Sequence, residues 1–292
     1  MKTSIGLTSG RFIQSVVFVS VVVLPLILCG GAGSQQGPNV EELRAGKGYI
    51  PTRTYAQAED DEVLALFAGL RVSDVSDGMD RVGLQNIGLM SHEIHPAWKD
   101  TEHYTHRIVG IAVTARYVPT NKPAAGRRST EDFDKWVGDW YTRLSPEPFV
   151  PLLRKGSVLV LDDAEATDCG TIGSNNIMGW KKRGCVGVVT DAGARDTDEI
   201  ATEGVPLYLR RVTRGIRPGR NEIESVNRPI ECGGVLVEPG DVIVADGDGV
   251  IVVPRAVAKD VAAYAKATLD TDKGQRKELY RDLGLKPDAS VK

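Results

Sequence analysis

The apolar positions of this chain fall into four successive patterns, and each predicts its own set of elements. Residues 16–29 are apolar apart from Ser20 and Pro25; Lys2 and Arg11 precede them and Gly30, Gly31, Ala32, Gly33 and Ser34 follow. A positive start, a short apolar stretch and small residues after it are the layout of a secretory leader. The run, about 14 residues, is shorter than the roughly 20 that a membrane-spanning helix needs, although counted from Phe12 it nears the lower limit. Cleavage, retention as an anchor and lipidation at Cys29 all stay open, with Leu28 departing from the small residue usual before a lipidated cysteine. Residues 34–58 are polar and aperiodic and read as a flexible arm.

In the second pattern, Val63, Leu64, Leu66, Phe67 and Leu70, then Val72, Val75 and Met79, predict two short helices broken near residues 69–73, with Ser73 as N-cap of the second. Residues 107–119 (RIVGIAVTARYVP) alternate as a strand, 121–130 form a turn-rich loop, and Trp136, Val137, Trp140, Tyr141 and Leu144 return to helical spacing. After Leu153 come short β-branched runs separated by glycine, at 157–161, 186–190, 206–211, 235–237, 242–245 and 250–253. Residues 174–183 are helical by length, so 157–191 predicts a βαβ unit with parallel strands. The later runs are divided by Glu238-Pro239-Gly240-Asp241 and Asp246-Gly247-Asp248-Gly249, which suit tight antiparallel or mixed pairing. The fourth pattern is a charged helix over about 256–283. The expectation is one α/β domain over 59–292, behind a leader or anchor (1–33) and an arm (34–58).

Composition narrows the function. Thirty-six basic against 39 acidic residues give a formal charge of −3, and loss of the leader would move this to about −5. The basic surplus that sequence-independent binding to nucleic acid requires is missing. Of the cysteines, Cys169, Cys185 and Cys232 would remain without the leader, an odd number with no CxxC, which reads as buried thiols rather than a disulfide framework. All four histidines (His92, His95, His103, His106) fall in one segment with Glu93, Asp100 and Glu102. Imidazole and carboxylate suit a metal, but the segment lacks helical period and any HExxH or finger spacing, so a solvated loop is the simpler reading. The clustering leaves no histidine beside a nucleophile in the glycine-rich half.

The strongest local constellation runs from Asp168 to Asp198. Gly170 and Gly173 precede a helix starting near Ser174, whose free amides at Asn175 and Asn176 make an anion seat. After the next strand, Asp191-Ala192-Gly193-Ala194-Arg195-Asp196 puts a cation and an oxygen ligand at a strand's carboxyl end, where open α/β sheets bind ligands. Arg195 can pair with a carboxylate and Asp196 can hold Mg²⁺. On the residues alone, this is a site for a small carboxylate or phosphate, with or without a divalent metal.

The block GSNNIMGWKKRGCVGVVTDAGARD, with SDVSDGMDRVG, RIVGIAVTARYVP, RKGSVLVLDD and CGGVLVEPGDVIVADGDGVIVVPRA, resembles the family that contains the 4-hydroxy-4-methyl-2-oxoglutarate aldolases and the regulator of ribonuclease E activity A. The resemblance covers most of residues 61–285; the leader, the arm and the segment 91–106 are additions. It implies a swivelling β/β/α fold with a mixed sheet, and a homotrimer or hexamer with sites at subunit interfaces. The activity implied is that of a class II lyase using Mg²⁺ or Mn²⁺, which cleaves a 2-oxo acid to pyruvate and decarboxylates oxaloacetate. It assigns Asp196 to the metal, Arg195 to substrate and developing enolate charge, and Gly173, Ser174, Asn175 and Asn176 to the substrate carboxylate.

The family's aldolases carry an acidic residue where this chain has Ser174, and serine is no base at neutral pH. Asp191 is the candidate catalytic substitute; Asp168, or Asp270 and Asp272 of a neighbouring subunit, are weaker ones. Decarboxylation needs no base to start and is the reaction the residues favour. The alternative is a non-catalytic regulator or binding protein acting through protein contacts, against which stand the Arg195-Asp196 pair and the expected export. A membrane role is expected only if the N-terminal segment is retained or lipidated.

Overall fold

The computed structural model describes residues 53–123, 126–163 and 168–291. The expected leader and residues 34–52 of the expected arm lie outside the described residues. The first half carries α1 (Gln57–Phe67), α2 (Val72–Arg81), β1 (His95–Pro96), β2 (Ile108–Pro119), α3 (Thr130–Arg143) and β3 (Ser157–Asp163). Then follow β4 (Gly170–Ile172), α4 (Ser174–Lys182), β5 (Cys185–Thr190), β6 (Gly193–Ala194), α5 (Thr197–Thr202), β7 (Leu207–Leu209) and β8 (Arg211–Val212). The chain ends with β9 (Asn221–Val226), β10 (Ile230–Cys232), β11 (Val235–Val237), β12 (Val242–Asp246), β13 (Gly249–Val253) and α6 (Ala258–Asp282). Among the described residues no helix is long and apolar enough to cross a membrane.

The paired helices form where the apolar spacing predicts, but Ser73 does not cap the second. Arg71 is its N-cap, and the Asp74 carboxylate reaches back to the Arg71 amide and Nε, both at 2.9 Å. The turn is closed by an acid inside the helix instead of a hydroxyl before it.

The main sheet is mixed. Its order is β1-β7-β5-β3-β2-β12-β13, with β9 also pairing β2. The central strands β2, β3, β5 and β7 are parallel, as the βαβ unit requires, while β12, β13, β9 and β1 join antiparallel. Strict alternation sends side chains to two faces. Ile108, Ala112, Val158, Val160, Ile243, Ala245, Val250 and Val252 fill one face with Met90, Ile94 and the β10–β11 hairpin. The opposite face divides: Val242, Val244, Ile251 and Val253 pack on α1, α2 and α6, whereas Val113, Ala115, Tyr117, Leu159 and Leu161 pack on Ile177, Trp180 and Ile200 of α4 and α5. The sheet thus anchors the two helices that start at the candidate site.

The chain enters this body through a charged clasp. Asp60, 1% exposed, binds both Arg154 and Arg255, the latter at 2.8 Å. Arg154 also donates to the Tyr55 carbonyl at 2.8 Å, and the Tyr55 ring lies over Gly240 with the Arg255 guanidinium 4.3 Å from its centre. Residues 55–58, read as arm from the sequence, are here bonded to the body or already helical.

Candidate functional site

Beside the main sheet, β4, β6 and β8 make a small parallel ribbon in which Gly170 faces Gly193, Ile172 faces Ala194, and Gly193 faces Arg211. The Arg195 amide donates to the Ile172 carbonyl at 2.9 Å, which extends the register past β6. The ribbon runs through Gly173 into α4 and through Arg195 and Asp196 into α5, so two helix starts meet at its carboxyl end. Asp196 is the N-cap of α5 at φ 57°, a left-handed conformation that aspartate tolerates better than most residues.

The two glycines of the loop clear room for the two charged side chains. A Cβ on Gly170 would lie 2.9 Å from Arg195 Cβ, and one on Gly173 would lie 2.9 Å from Asp196 Oδ2 and 3.6 Å from Arg195 Nε. Arg195 Nε and Asp196 Oδ1 are 3.8 Å apart, with both side chains 37% exposed. Any larger residue at 170 or 173 would push this pair out of place.

The helix start is shared differently from the expectation. The amide of Ser174 donates to Asp196 Oδ2 at 3.1 Å, so the chain's own carboxylate takes the first of the free amides. The amides of Asn175 and Asn176 have no helical partner and meet no acceptor among the described residues, leaving two donors for an external anion. Ser174 Oγ is 3.4 Å from the same Asp196 oxygen.

Glu147 and Arg217 belong to this neighbourhood and were not found from the sequence. Glu147 Oε1 accepts from Asn176 Nδ2 at 2.5 Å and from Arg217 NH2 at 2.6 Å, and its Oε2 accepts from Trp180 Nε1 at 2.9 Å. Arg217 is buried, donates to Tyr117 Oη at 2.8 Å and lies 4.9 Å from the centre of the Tyr141 ring. The one signal was the run RRVTRGIRPGR at 210–220, an arginine density too high for a plain connection. A groove of about 290 Å³ opens here, lined by Glu147, Asn175, Asn176, Trp180 and Arg183 among others.

The proposed substitutes for an acidic residue at 174 are engaged elsewhere. Asp191 is buried, and its carboxylate accepts from the amides of Asp163 and Gly233, both at 3.3 Å; burial, above all, raises its carboxyl above the usual range. Leaving β5 after Thr190, the chain turns this side chain toward the end of β3. Asp168 is held by Arg214, whose Nε donates at 2.7 Å, and this pairing keeps its carboxyl below the usual range. Within the chain Asp270 pairs with Lys266, and Asp272 with Arg71 at 2.7 Å. Of the histidines, His106 is not solvated: it is buried, accepts from the Asp100 amide at 3.1 Å, and its carbonyl receives the Tyr208 hydroxyl. Among the described residues no group of three or more His, Cys, Asp or Glu side chains is arranged to hold a metal ion.

Asp191 belongs to an acidic layer at the ends of β3 and β5. Burial first, and then the charge of Asp191, push Asp162 up to about 7, and burial pushes Asp163 up to about 6. A carboxyl that titrates higher in the folded than in the unfolded chain holds a proton that unfolding releases, so stability falls as pH rises from about 4 through the folded value. Asp162→Asn removes this liability. Urea midpoints of the two proteins are expected to converge near pH 4 and to separate in favour of the variant as pH rises to 8; a constant difference would place the titration elsewhere.

The fold and the site define a mixed α/β protein that seats an arginine-aspartate pair and two open amides at a helix start. The chain belongs to the RraA-like family: the family model Aldolase/RraA matches residues 72–252. Protein DlpA of Legionella pneumophila is 26% identical over 228 residues, 74% of this chain and 32% of that protein. A "Putative 4-hydroxy-4-methyl-2-oxoglutarate aldolase" of Halalkalibacterium halodurans is 32% identical over 125 residues, 42% of this chain and 59% of the relative. The chain therefore spans less than two thirds of each of these relatives. Among solved structures, Streptomyces coelicolor RraAS2, described as an unusual member of the RNase ES inhibitor RraA protein family, superposes with a TM-score of 0.59 over 75% of this chain and 98% of its own at 20% identity. That likeness bears on the fold alone.

Proposed function

We propose that the protein is a divalent-metal-dependent lyase acting on a 2-oxo acid: it decarboxylates oxaloacetate to pyruvate, and retro-aldol cleavage of a 4-hydroxy-2-oxo acid is its secondary reaction. The observation that carries this reading is the convergence over Gly173 of Arg195, Asp196 and the open amides of Asn175 and Asn176. The residues fit a hard cation, because Asp196 offers a half-buried carboxylate whose Oδ1 accepts no hydrogen bond among the described residues and lies 3.8 Å from Arg195 Nε. Mg²⁺ or Mn²⁺ bound by one carboxylate keeps several waters, its ordinary habit. A bound divalent ion supplies Lewis acidity toward the substrate ketone.

The protein's own groups do the rest. The amides of Asn175 and Asn176 hold the carboxylate next to the ketone, with the α4 dipole favouring negative charge there. Arg195 faces the oxygen on which enolate charge develops as carbon dioxide leaves, and a fixed cation already in place stabilises that charge without reorganising. Ser174 takes no proton at neutral pH, and Asp191, Asp168, Asp270 and Asp272 are occupied within the chain, so the reaction that needs no base to start is favoured. Ser174 also supports a second reading, a non-catalytic protein acting through protein contacts. Export and a trimeric or hexameric assembly belong to this proposal too.

The test is pyruvate release from oxaloacetate, measured above the background that metal alone produces. Activity is expected with Mg²⁺ or Mn²⁺ and is expected to vanish with EDTA. Equal rates with and without metal would overturn the metal-lyase reading, and no rate under any condition would favour the non-catalytic one.

A further inference from the structure

We propose that the side-chain oxygen of Asn176 is a second oxygen contact for the divalent cation held at Asp196, made directly or through one of the ion's waters. This rests on the metal-dependent reading above. A carboxylate has only acceptors, so the end of Asn176 that meets Glu147 Oε1 at 2.5 Å is its NH₂ group, and its carbonyl oxygen faces the other way. That direction is the site. A Cβ on Gly173 would lie 3.6 Å from Asn176 Oδ1, 3.6 Å from Arg195 Nε and 2.9 Å from Asp196 Oδ2, so all three groups gather on one side of Gly173; the Asp196 oxygen there is the one that accepts the Ser174 amide, and Oδ1 of the same carboxylate is left for the ion.

The aim of the amide is fixed from outside the helix. Glu147 receives Asn176 and Trp180, one turn apart on the same face of α4, and is itself held by the buried Arg217. Glu147 therefore sets both the helix position and the orientation of the amide. An amide oxygen is chemically suited to this contact, since hard divalent ions take oxygen ligands and a neutral one adds a contact without repelling an anionic substrate. It stands two positions after Ser174, on the helix turn where the aldolases of the family place an acid.

The experiment is a Mn²⁺ titration of the full chain without substrate, following free Mn²⁺ by electron paramagnetic resonance, with Trp180 emission reporting whether α4 stays in place. Asn176→Ala is expected to weaken Mn²⁺ binding by about 10–100-fold, the range found when a supporting partner of a metal site is lost. Asn176→Asp keeps an oxygen at that point but loses the NH₂ group that Glu147 accepts and sets a like charge beside it, so it is measured in the Glu147→Gln background, whose amide can donate to the new carboxylate, and there it is expected to bind at least as tightly as the parent. An unchanged affinity in Asn176→Ala, or equal losses in the two variants, would overturn the proposal, the second outcome making the residue a packing link. Binding that is lost in Asp196→Asn and untouched in Asn176→Ala overturns this inference alone. If the parent protein binds no Mn²⁺, this inference and the metal-dependent reading fall together.

Discussion

Asp196→Asn is expected to lower the kcat/KM for pyruvate formation from oxaloacetate by about 10³-fold or more, equivalent to about 4 kcal/mol of transition-state stabilisation. Asparagine is the informative replacement because, like aspartate, it tolerates the left-handed backbone at φ 57°, and its carbonyl can still accept the Ser174 amide. The charge is lost, and an NH₂ group replaces the oxygen offered to the cation. The α5 start and the α4 start should both persist, so the melting temperature should move little while the rate collapses. A variant retaining more than about a tenth of the parent rate at the same metal concentration would remove Asp196 from the reaction. A large fall in melting temperature would instead show that the carboxylate is needed for the fold.

Arg217→Ala is expected to produce the largest loss of stability, about 3–5 kcal/mol, because it leaves Glu147 as an unpaired, largely buried charge. It also removes the hydrogen bond to Tyr117 Oη and the guanidinium from the Tyr117 and Tyr141 rings. In a domain of this size each kcal/mol moves the melting temperature by about 2–4 °C, so a shift on the order of 10 °C is expected. Glu147→Gln in the Arg217→Ala background should recover part of it by removing the stranded charge, and that recovery is the coupling a double-mutant cycle measures. Strict additivity of the two substitutions would show that the pair does not act as a unit. Since Glu147 also grips Asn176 and Trp180, the single variant should in addition raise KM for a 2-oxo acid.

The main sheet and the longer helices were legible because they carry strong local patterns. β3 and β5 are apolar on both faces, the signature of buried parallel strands, and β12 and β13 are divided by Asp-Gly turns. β9 was missed because four of the six residues of NEIESV are polar and the strand pairs only with the outer part of β2. β4, β6 and β8 have two or three residues each, and such strands exist only through partners remote in sequence. The place of the candidate site was readable for the opposite reason: its glycines, arginine and aspartate lie within about 30 residues of one another. Its supports were not. Glu147 reaches Asn176 of α4 from 29 residues away and Arg217 reaches Glu147 from 70, through contacts that leave no period in the sequence. Asp191 shows the converse: it is near Arg195 along the chain, yet its carboxylate takes its hydrogen bonds from the Asp163 and Gly233 amides. His106 shows that a polar segment can fold one of its members inward when a backbone amide donates to the ring.

The clasp of Tyr55, Asp60, Arg154 and Arg255 governs how force enters the domain. A pull on the chain from upstream of residue 53 meets an aromatic ring wedged on Gly240 and an acid held by two arginines before it can unwind α1. Those arginines stand just before β3 and just after β13, so the load passes into the main sheet and bypasses the ribbon that carries Arg195 and Asp196. A load applied upstream of residue 53 would on this path be borne away from the place where the reaction is proposed to occur.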